Sequence, residues 1–246
     1  MYYEPRTYRS LVSTGRLTSF AVVVKETDLL VHAALDLREP ARELVLEHRG
    51  YLEAYIRQYP EFLRTLAPWP LTGPWPAVVG EMIAAGAAAG VGPMAAVAGA
   101  IAEQVGRGLL RSSEEVIVEN GGDVFLKTAG AATVAIFAGT SPLSLRIGVR
   151  IACGDAPLSV CTSSGTVGHS LSFGRADAVC IVARSCALAD AAATAVGNLV
   201  SAKADIAQGI ERGKAIPGVA GLVIVVADQV GFWGEIEVIP VRPKKG

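Results

Sequence analysis

Two short apolar runs joined by a polar turn lie near the middle of the chain, in Val116-Ile117-Val118-Glu119-Asn120-Gly121-Gly122-Asp123-Val124-Phe125-Leu126-Lys127. Runs rich in β-branched and aromatic residues, bounded by Gly and Asp, predict strands over 116–119 and 124–127. Asn-Gly-Gly-Asp is a favourable hairpin turn, because glycine accepts a positive φ. The same glycines would let a ligand approach the backbone, with Asn120 and Asp123 as its polar contacts. The local sequence leaves both readings open.

Hairpins and helices alternate on either side of this stretch. Upstream, the pattern predicts a hairpin over 17–35, an amphipathic helix over 39–57, a short helix over 60–66, a rigid Pro-rich connector over 67–76 and two helices over 77–89 and 94–110. Downstream, it predicts strands over 132–137, 143–151, 159–162 and 178–183, a helix over 186–202, and strands over 222–227 and 234–241. This order predicts an α+β protein made of two similar substructures packed into one unit.

The composition narrows the class of protein. With 246 residues, 51% hydrophobic and 18% charged, the chain can bury a large core. Its net charge is −1 and basic residues cluster only at the C-terminus, so we expect no nucleic-acid partner. The first residues lack a secretory pattern, which predicts a cytoplasmic protein with reduced cysteines. The low charge content also leads us to expect a homo-oligomer.

One uncharged segment has nearly the length of a membrane span. It covers residues 82–102 and consists mostly of Ala and Gly, which gain little in lipid. Gly92-Pro93 breaks it into two pieces. We therefore expect buried helices and no membrane partner.

A second polar segment follows the predicted strand over 159–162, in Cys161-Thr162-Ser163-Ser164-Gly165-Thr166-Val167-Gly168-His169-Ser170. Hydroxyl and backbone N–H groups at a strand end suit an anion such as a diphosphate. His169 is a candidate general acid or base, although a lone histidine is more often structural. Cys161 is a candidate nucleophile if His169 lowers its thiol pKa. A buried, inert thiol is the alternative.

The third candidate is Ala189-Asp190-Ala191-Ala192-Ala193-Thr194, near the start of a predicted helix. Asp190 and Thr194 are four residues apart, so their oxygens share one helical face and could bind a hard cation such as Mg²⁺. Capping of the helix N-terminus by Asp190 explains the same pattern without a metal.

Taken in order, the three segments resemble the signature of the ApbE superfamily, the flavin transferases that use FAD and Mg²⁺ to attach FMN to a protein threonine. The matching residues are Gly121-Gly122-Asp123, Thr162-Ser163 with Gly165, His169, and Ala189-Asp190-Ala191 with Thr194. A closer resemblance, over nearly the whole chain, is to UPF0280 proteins of the same superfamily. It rests on Tyr8-Arg9, Glu26-Thr27-Asp28-Leu29, the segment 89–103 and Gly231-Phe232-Trp233-Gly234.

The resemblance implies a duplicated T-fold-like (ApbE-like) α+β architecture, with mixed or antiparallel sheets and packed helices. Residues 1–246 would form a single domain of two similar subdomains, divided near 111–120. FAD or FMN would contact Asn120, Gly121, Gly122, Asp123, Thr162, Ser163 and Gly165. Mg²⁺ would bind Asp190, Thr194 and a backbone carbonyl near Ala95 or Ala96, with His169 as acid or base.

The chain departs from the flavin-transferase pattern at two places. It has Val97-Ala98-Gly99 where those enzymes have Lys-Gly-Tyr, and Ser170-Leu171-Ser172-Phe173 where they have Asp-Pro after the histidine. Our leading hypothesis is an enzyme that binds a flavin or another nucleotide-like small molecule with Mg²⁺. A non-catalytic binding protein on the same fold, and thiol chemistry at Cys161, are the alternatives.

Overall fold

The computed structural model describes residues 17–165 and 173–241. Its five α-helices are α1 (Arg38–Gln58), α2 (Ala77–Ala89), α3 (Val97–Leu109), α4 (Cys186–Gly197) and α5 (Ile206–Lys214). Its strands are β1 (Thr18–Val24), β2 (Thr27–Ala33), β3 (Val116–Asn120), β4 (Asp123–Lys127), β5 (Ala132–Ala135), β6 (Ile147–Ile151), β7 (Leu158–Ser163), β8 (Ala178–Ala183), β9 (Val219–Val226), β10 (Gln229–Gly234) and β11 (Glu237–Pro240). Short 3₁₀ helices lie at Pro60–Leu63, Pro93–Ala96 and Lys203–Asp205.

The strands form two antiparallel sheets. The larger has eight strands in the order β1-β2-β3-β4-β7-β8-β9-β10, and the smaller has the order β11-β6-β5. Alternate residues of the large sheet enter different cores: Val118 and Phe125 pack under the helices, whereas Ile117 and Leu126 pack against the small sheet. The period-2 alternation of the strands therefore builds a three-layer molecule, which confirms the predicted α+β class with antiparallel sheets and packed helices.

The two ends of the large sheet have the same order of elements. A hairpin, helices and a second hairpin follow one another in β1–β4 with α1–α3, and again in β7–β10 with α4 and α5. This is the order that two similar subdomains would have, and the duplication stays a prediction. The strand order places β3 and β4 beside β2. The division near 111–120 also stays a prediction.

The structure confirms most of the predicted elements and corrects several. The strand predicted over 143–151 begins at Ile147, because residues 142–146 form turns, and the strand predicted over 132–137 ends at Ala135. The helix predicted over 186–202 ends at Gly197, because the carbonyl of Val200 instead accepts bonds from the N–H groups of Arg175 and Ala176. Helix α5 and strand β10 were not predicted. Two glycines weaken the helical signal of α5. Gly231 lies within β10, where an added Cβ would be 2.3 Å from Ile206 of α5.

The uncharged segment forms part of two helical stretches. In the described ranges no single helix is both long and apolar enough to cross a bilayer. The pair Ala77–Ala89 and Pro93–Leu109 meets the length and composition criteria only when taken together, and it is bent by 107° at the break.

Helix α3 packs on β3 and β4 at a position where only glycine fits. A Cβ on Gly106 would lie 2.1 Å from Cδ1 of Phe125, whose side chain is fully buried and cannot move aside. This contact sets the height of α3 above the sheet.

We expect Gly106→Ala to lower the free energy of unfolding by about 2 kcal/mol, because the added methyl group forces α3 away from Phe125. Gly50→Ala is the matched control, since Gly50 lies in the exposed face of α1 with no atom within 4 Å of an added Cβ. That variant should gain up to about 1 kcal/mol from helix propensity. Urea denaturation followed by circular dichroism measures both; equal effects would contradict the packing argument.

Candidate functional site

The N-terminal turns of α3 and α4 lie against each other above the large sheet. Each helix supplies a carboxylate to the other: Oδ2 of Asp190 accepts from the N–H of Gly99 at 2.9 Å, and Oε2 of Glu103 accepts from the N–H of Cys186 at 2.7 Å. The helices approach so closely that a Cβ on Gly99 would lie 2.4 Å from the carbonyl oxygen of Cys186. Two helix N-termini are thus capped reciprocally.

Glu103 was not among the residues that the sequence singled out. Its side chain is fully buried, and Oε2 also accepts from the hydroxyl of Ser185 at 3.3 Å and the N–H of Ala187 at 3.5 Å. Arg107, one turn later, contacts Oε1 at 2.5 Å. The sequence did hold a signal for it: Glu103 is a charged residue among the small and apolar residues of a helix predicted to be buried.

The Asn120–Asp123 segment forms the predicted hairpin turn between β3 and β4. Gly121 and Gly122 have φ values of +69° and +113°, a backbone conformation that other residues rarely adopt. Asn120 pairs with Asp123 across the hairpin and donates from Nδ2 to the carbonyl of Ala98 at 3.0 Å. The turn is thereby joined to the start of α3, and Gly121 itself is exposed.

Asp123 lies at the start of β4, opposite Cys161 of β7. Asp123 is only 7% exposed, and its carboxyl group has hydrogen bonds with the thiol of Cys161 and the backbone of Thr162. Burial raises the pKa of Asp123 well above its usual value, and the charge of Asp190 raises it further. The two carboxyl groups therefore lie close enough to affect each other.

Asp190 is the second member of this pair. Burial raises its pKa to about 7, although hydrogen bonds from the backbone of Gly99 and Ala98 favour the charged form. Between described residues, no ion pair involves Asp190 or Asp123. Such a pair is stabilised either by a retained proton or by a bound cation.

The donor atoms at this point suit a hard cation such as Mg²⁺. Thr194 lies one turn after Asp190 on α4 and is partly exposed, and Asp190 has a second carboxylate oxygen besides the one bonded to Gly99. No three His, Cys, Asp or Glu side chains of the described residues are placed to hold a metal ion together. A cation would thus need hydroxyl, backbone, water or ligand oxygens as well, as Mg²⁺ commonly has.

Ala95 and Gly165 have other roles in the described structure. Ala95 lies in the 3₁₀ helix before α3 and donates its N–H to the carbonyl of Gly92, while the backbone groups beside Asp190 belong to Ala98 and Gly99. The N–H of Gly165 donates to the carbonyl of Ala176 at 2.9 Å. The predicted metal contact of Ala95 and ligand contact of Gly165 stay predictions.

Strand β7 runs from the carboxyl pair along α4. Thr162 and Ser163 end this strand and are partly buried. An ideal Cβ on Gly197, the last residue of α4, would lie 4.0 Å from Oγ of Ser163. The hydroxyl of Ser163 thus lies on the helix side of the sheet, as Cys161 does. The side chain of Thr162 points to the opposite side, where it has a hydrogen bond with Cys180.

The structure favours the inert alternative for Cys161. Its side chain is fully buried, with Sγ 3.5 Å from Sγ of Cys186 and 3.4 Å from the carbonyl oxygen of that residue. Burial raises the thiol pKa well above its usual value, and the charge of Asp123 raises it further. The thiolate that a nucleophile requires is therefore disfavoured. His169 lies outside the described residues, so its predicted role is not tested.

Most of the chain is similar in sequence to known proteins. Residues 9–230 match a family model described as AbpE bacteria. A UPF0280 protein of Methanococcus aeolicus is 41% identical over 201 residues, covering 80% of this chain and 81% of the relative. Another, from Methanocaldococcus jannaschii, is 39% identical over 221 residues, covering 87% and 90%. The chain belongs to the UPF0280 family.

The fold of this chain resembles those of solved flavin transferases. The flavin transferase ApbE of Vibrio cholerae superposes with a TM-score of 0.58 at 13% identity, over 88% of this chain and 96% of that one. The flavinyl transferase ApbE of Pseudomonas stutzeri, in its apo form, gives 0.59 at 13% identity, over 88% and 94%. At this identity the likeness concerns the fold, and it confirms the ApbE-like architecture that the motifs predicted.

The raised pKa of Asp190 predicts how stability depends on pH. In the unfolded chain this carboxyl releases its proton at its usual pKa of 3.8, whereas in the folded protein it does so at about 7. Between these values the folded state binds more protons, so the free energy of unfolding falls as pH rises. We expect the melting temperature of the metal-free protein to fall between about pH 5 and about pH 7.5, and Asp190→Asn to remove part of that fall.

Thermal scans in chelator-containing buffers measure this effect. Asp155→Asn, a change at an exposed aspartate, is the control and should follow the wild-type profile. A profile of Asp190→Asn parallel to that of the wild type would contradict the assignment of a protonated carboxyl in the folded protein.

Burial of all four cysteines predicts slow thiol chemistry. An aromatic disulfide reagent at neutral pH should label none of them within minutes in the native protein, and all four in denaturant, because the thiolates are desolvated and covered. Absorbance of the released aromatic thiol gives the count. Fast labelling that disappears in Cys161→Ser would instead favour the nucleophile.

Proposed function

We propose that this UPF0280 protein is an enzyme that binds a flavin or another nucleotide-like small molecule, with Mg²⁺, where α3 and α4 cross. One observation carries the proposal: Asp123 and Asp190, 67 positions apart in sequence, both reach the start of α3. Asp190 accepts from the N–H of Gly99, and Asp123 lies opposite Asn120, which bonds to the carbonyl of Ala98. The ApbE-like fold supports it, because the structural neighbours named above are flavin transferases.

Each part of the site has a role in this proposal. Asp190 and Thr194, on one face of α4, would hold Mg²⁺ beside Asp123. When bound, Mg²⁺ would neutralise the charge of a diphosphate. The exposed turn at Gly121 would let a ring or ribose approach the backbone, and the hydroxyl of Ser163 would bind polar groups of the same ligand. A ligand contact of Thr162 stays part of the proposal.

The proposal does not extend to FMN transfer onto a protein threonine. This chain has Gly99 where the resembling transferases have Tyr, and no side chain fits there, since a Cβ would lie 2.4 Å from the carbonyl oxygen of Cys186. The start of α3 therefore has no room for the tyrosine of the transferase pattern. This observation favours, as the second candidate, a protein that binds the same ligand without transforming it. His169 as acid or base, Ala95 as a metal contact, Gly165 as a ligand contact, and a cytoplasmic homo-oligomer stay parts of the proposal.

We expect FAD or FMN to bind the purified protein with Mg²⁺ present, and Asp190→Asn to weaken binding about tenfold or more. Flavin fluorescence and calorimetry, each with and without Mg²⁺, measure the affinity. Asp155→Asn, on the exposed surface, is the control and should bind as the wild type does. Failure of every flavin tested to bind would remove the flavin part of the proposal.

Mass spectrometry of the bound ligand separates the two candidates. A ligand chemically changed after long incubation, and unchanged with His169→Ala, supports an enzyme. A ligand recovered intact from both proteins supports the binding protein.

A further inference from the structure

The carboxylate of Glu103, on α3, has most of its hydrogen bonds with groups at the start of α4. Its Oε2 accepts from the hydroxyl of Ser185 and from the N–H groups of Cys186 and Ala187. Its side chain is 1% exposed, so a ligand has no access to it, and Arg107 contacts the other oxygen. Glu103 therefore acts on the first turn of α4 rather than on a substrate.

The candidate metal ligand lies directly after that first turn. Helix α4 begins at Cys186, and Asp190 lies four residues later, about one turn along. The N–H groups in a helical first turn have no partner within the helix, and a buried unpaired N–H costs about 1–3 kcal/mol. Ser185 accepts only from Leu188, so Glu103 is the acceptor for Cys186. Without Glu103, the turn that places Asp190 would lose its anchor.

The hydrogen bond between Asp190 and α3 depends on the position of that turn, so its loss would reveal a shift of the turn. Oδ2 of Asp190 accepts from the N–H of Gly99, and the two residues are separated by 91 positions in sequence. Any shift of the first turn of α4 displaces Asp190 from Gly99. The two caps are thus linked through one rigid turn.

We propose that Glu103 is a positioning residue, which anchors the first turn of α4 and thereby sets Asp190 at the cation site. The effect on the cation rests on the function proposed above. The link from Glu103 to Asp190 does not, because it is visible in the protein alone.

Amide hydrogen exchange followed by NMR tests the link without any ligand. We expect Glu103→Ala to accelerate exchange of the Gly99 amide at least tenfold more than exchange of the Val105 amide, deeper in α3. Asp190→Ala should give the same selective effect on Gly99. Gly106→Ala is the matched control, since it destabilises α3 without touching either cap and should accelerate both amides alike.

Cation affinity tests the consequence at the site. By calorimetry with Mg²⁺ alone on the full chain, Glu103→Ala should bind about 10–100-fold more weakly than the wild type, as expected when a residue behind a metal ligand is lost. If Glu103→Ala does not fold, Glu103→Gln replaces it. Gln keeps one acceptor for Cys186 and loses the charge, so its effects should have the same sign and be at least about threefold.

The outcomes separate the two proposals. A wild-type protein that takes up no Mg²⁺ contradicts the metal part of the proposed function, while selective exposure of Gly99 still supports the positioning role. Equal acceleration of amide exchange at Gly99 and Val105 in both Glu103 variants would overturn the positioning role. Wild-type Mg²⁺ affinity in a folded Glu103→Ala would overturn the effect on the site.

Discussion

Two reciprocal hydrogen bonds to carboxylates join α3 to α4 near the centre of the molecule. Buried helix ends require acceptors for their N–H groups, and here each helix takes its acceptor from the other, Glu103 for α4 and Asp190 for α3. The exchange requires backbone contact, which the absence of a side chain at Gly99 allows. Asn120 then joins the β3–β4 turn to the carbonyl of Ala98. The sheet, both helices and the turn thus meet at one place.

The charges at this place are compensated unequally. Glu103 has Arg107, a hydroxyl and two N–H groups around it. Asp123 has a thiol and a backbone group, and the charges of Asp190 and Glu119 act against its ionised form. A positive group would therefore gain most beside Asp123 and Asp190. The compensation thus distinguishes Glu103, whose charge is neutralised by its neighbours, from Asp123 and Asp190.

Local sequence patterns predicted the features that depend on neighbouring residues, such as hairpins and helices. They missed the contacts between residues that are distant in sequence. The β3–β4 hairpin was predictable because two glycines with positive φ follow a β-branched strand. Asp123 and Asp190 were each identifiable by motif, but only the fold reveals that they interact. Glu103 was missed because its partner Cys186 is 83 positions away. Strand β10 was missed, and it contains Gly231 and Gly234, since glycine inside a strand weakens the strand pattern.

The distance between cap partners has a consequence for how the molecule forms. Contacts between residues 83 and 91 positions apart close long loops, so they form after local hairpins and helices. A chain in which only one end of the large sheet has folded contains either Asp123 or Asp190 in its place, never the pair. Occupancy of the carboxyl pair by a cation would then report that the polypeptide has completed folding, and a cation bound there would stabilise only that final state.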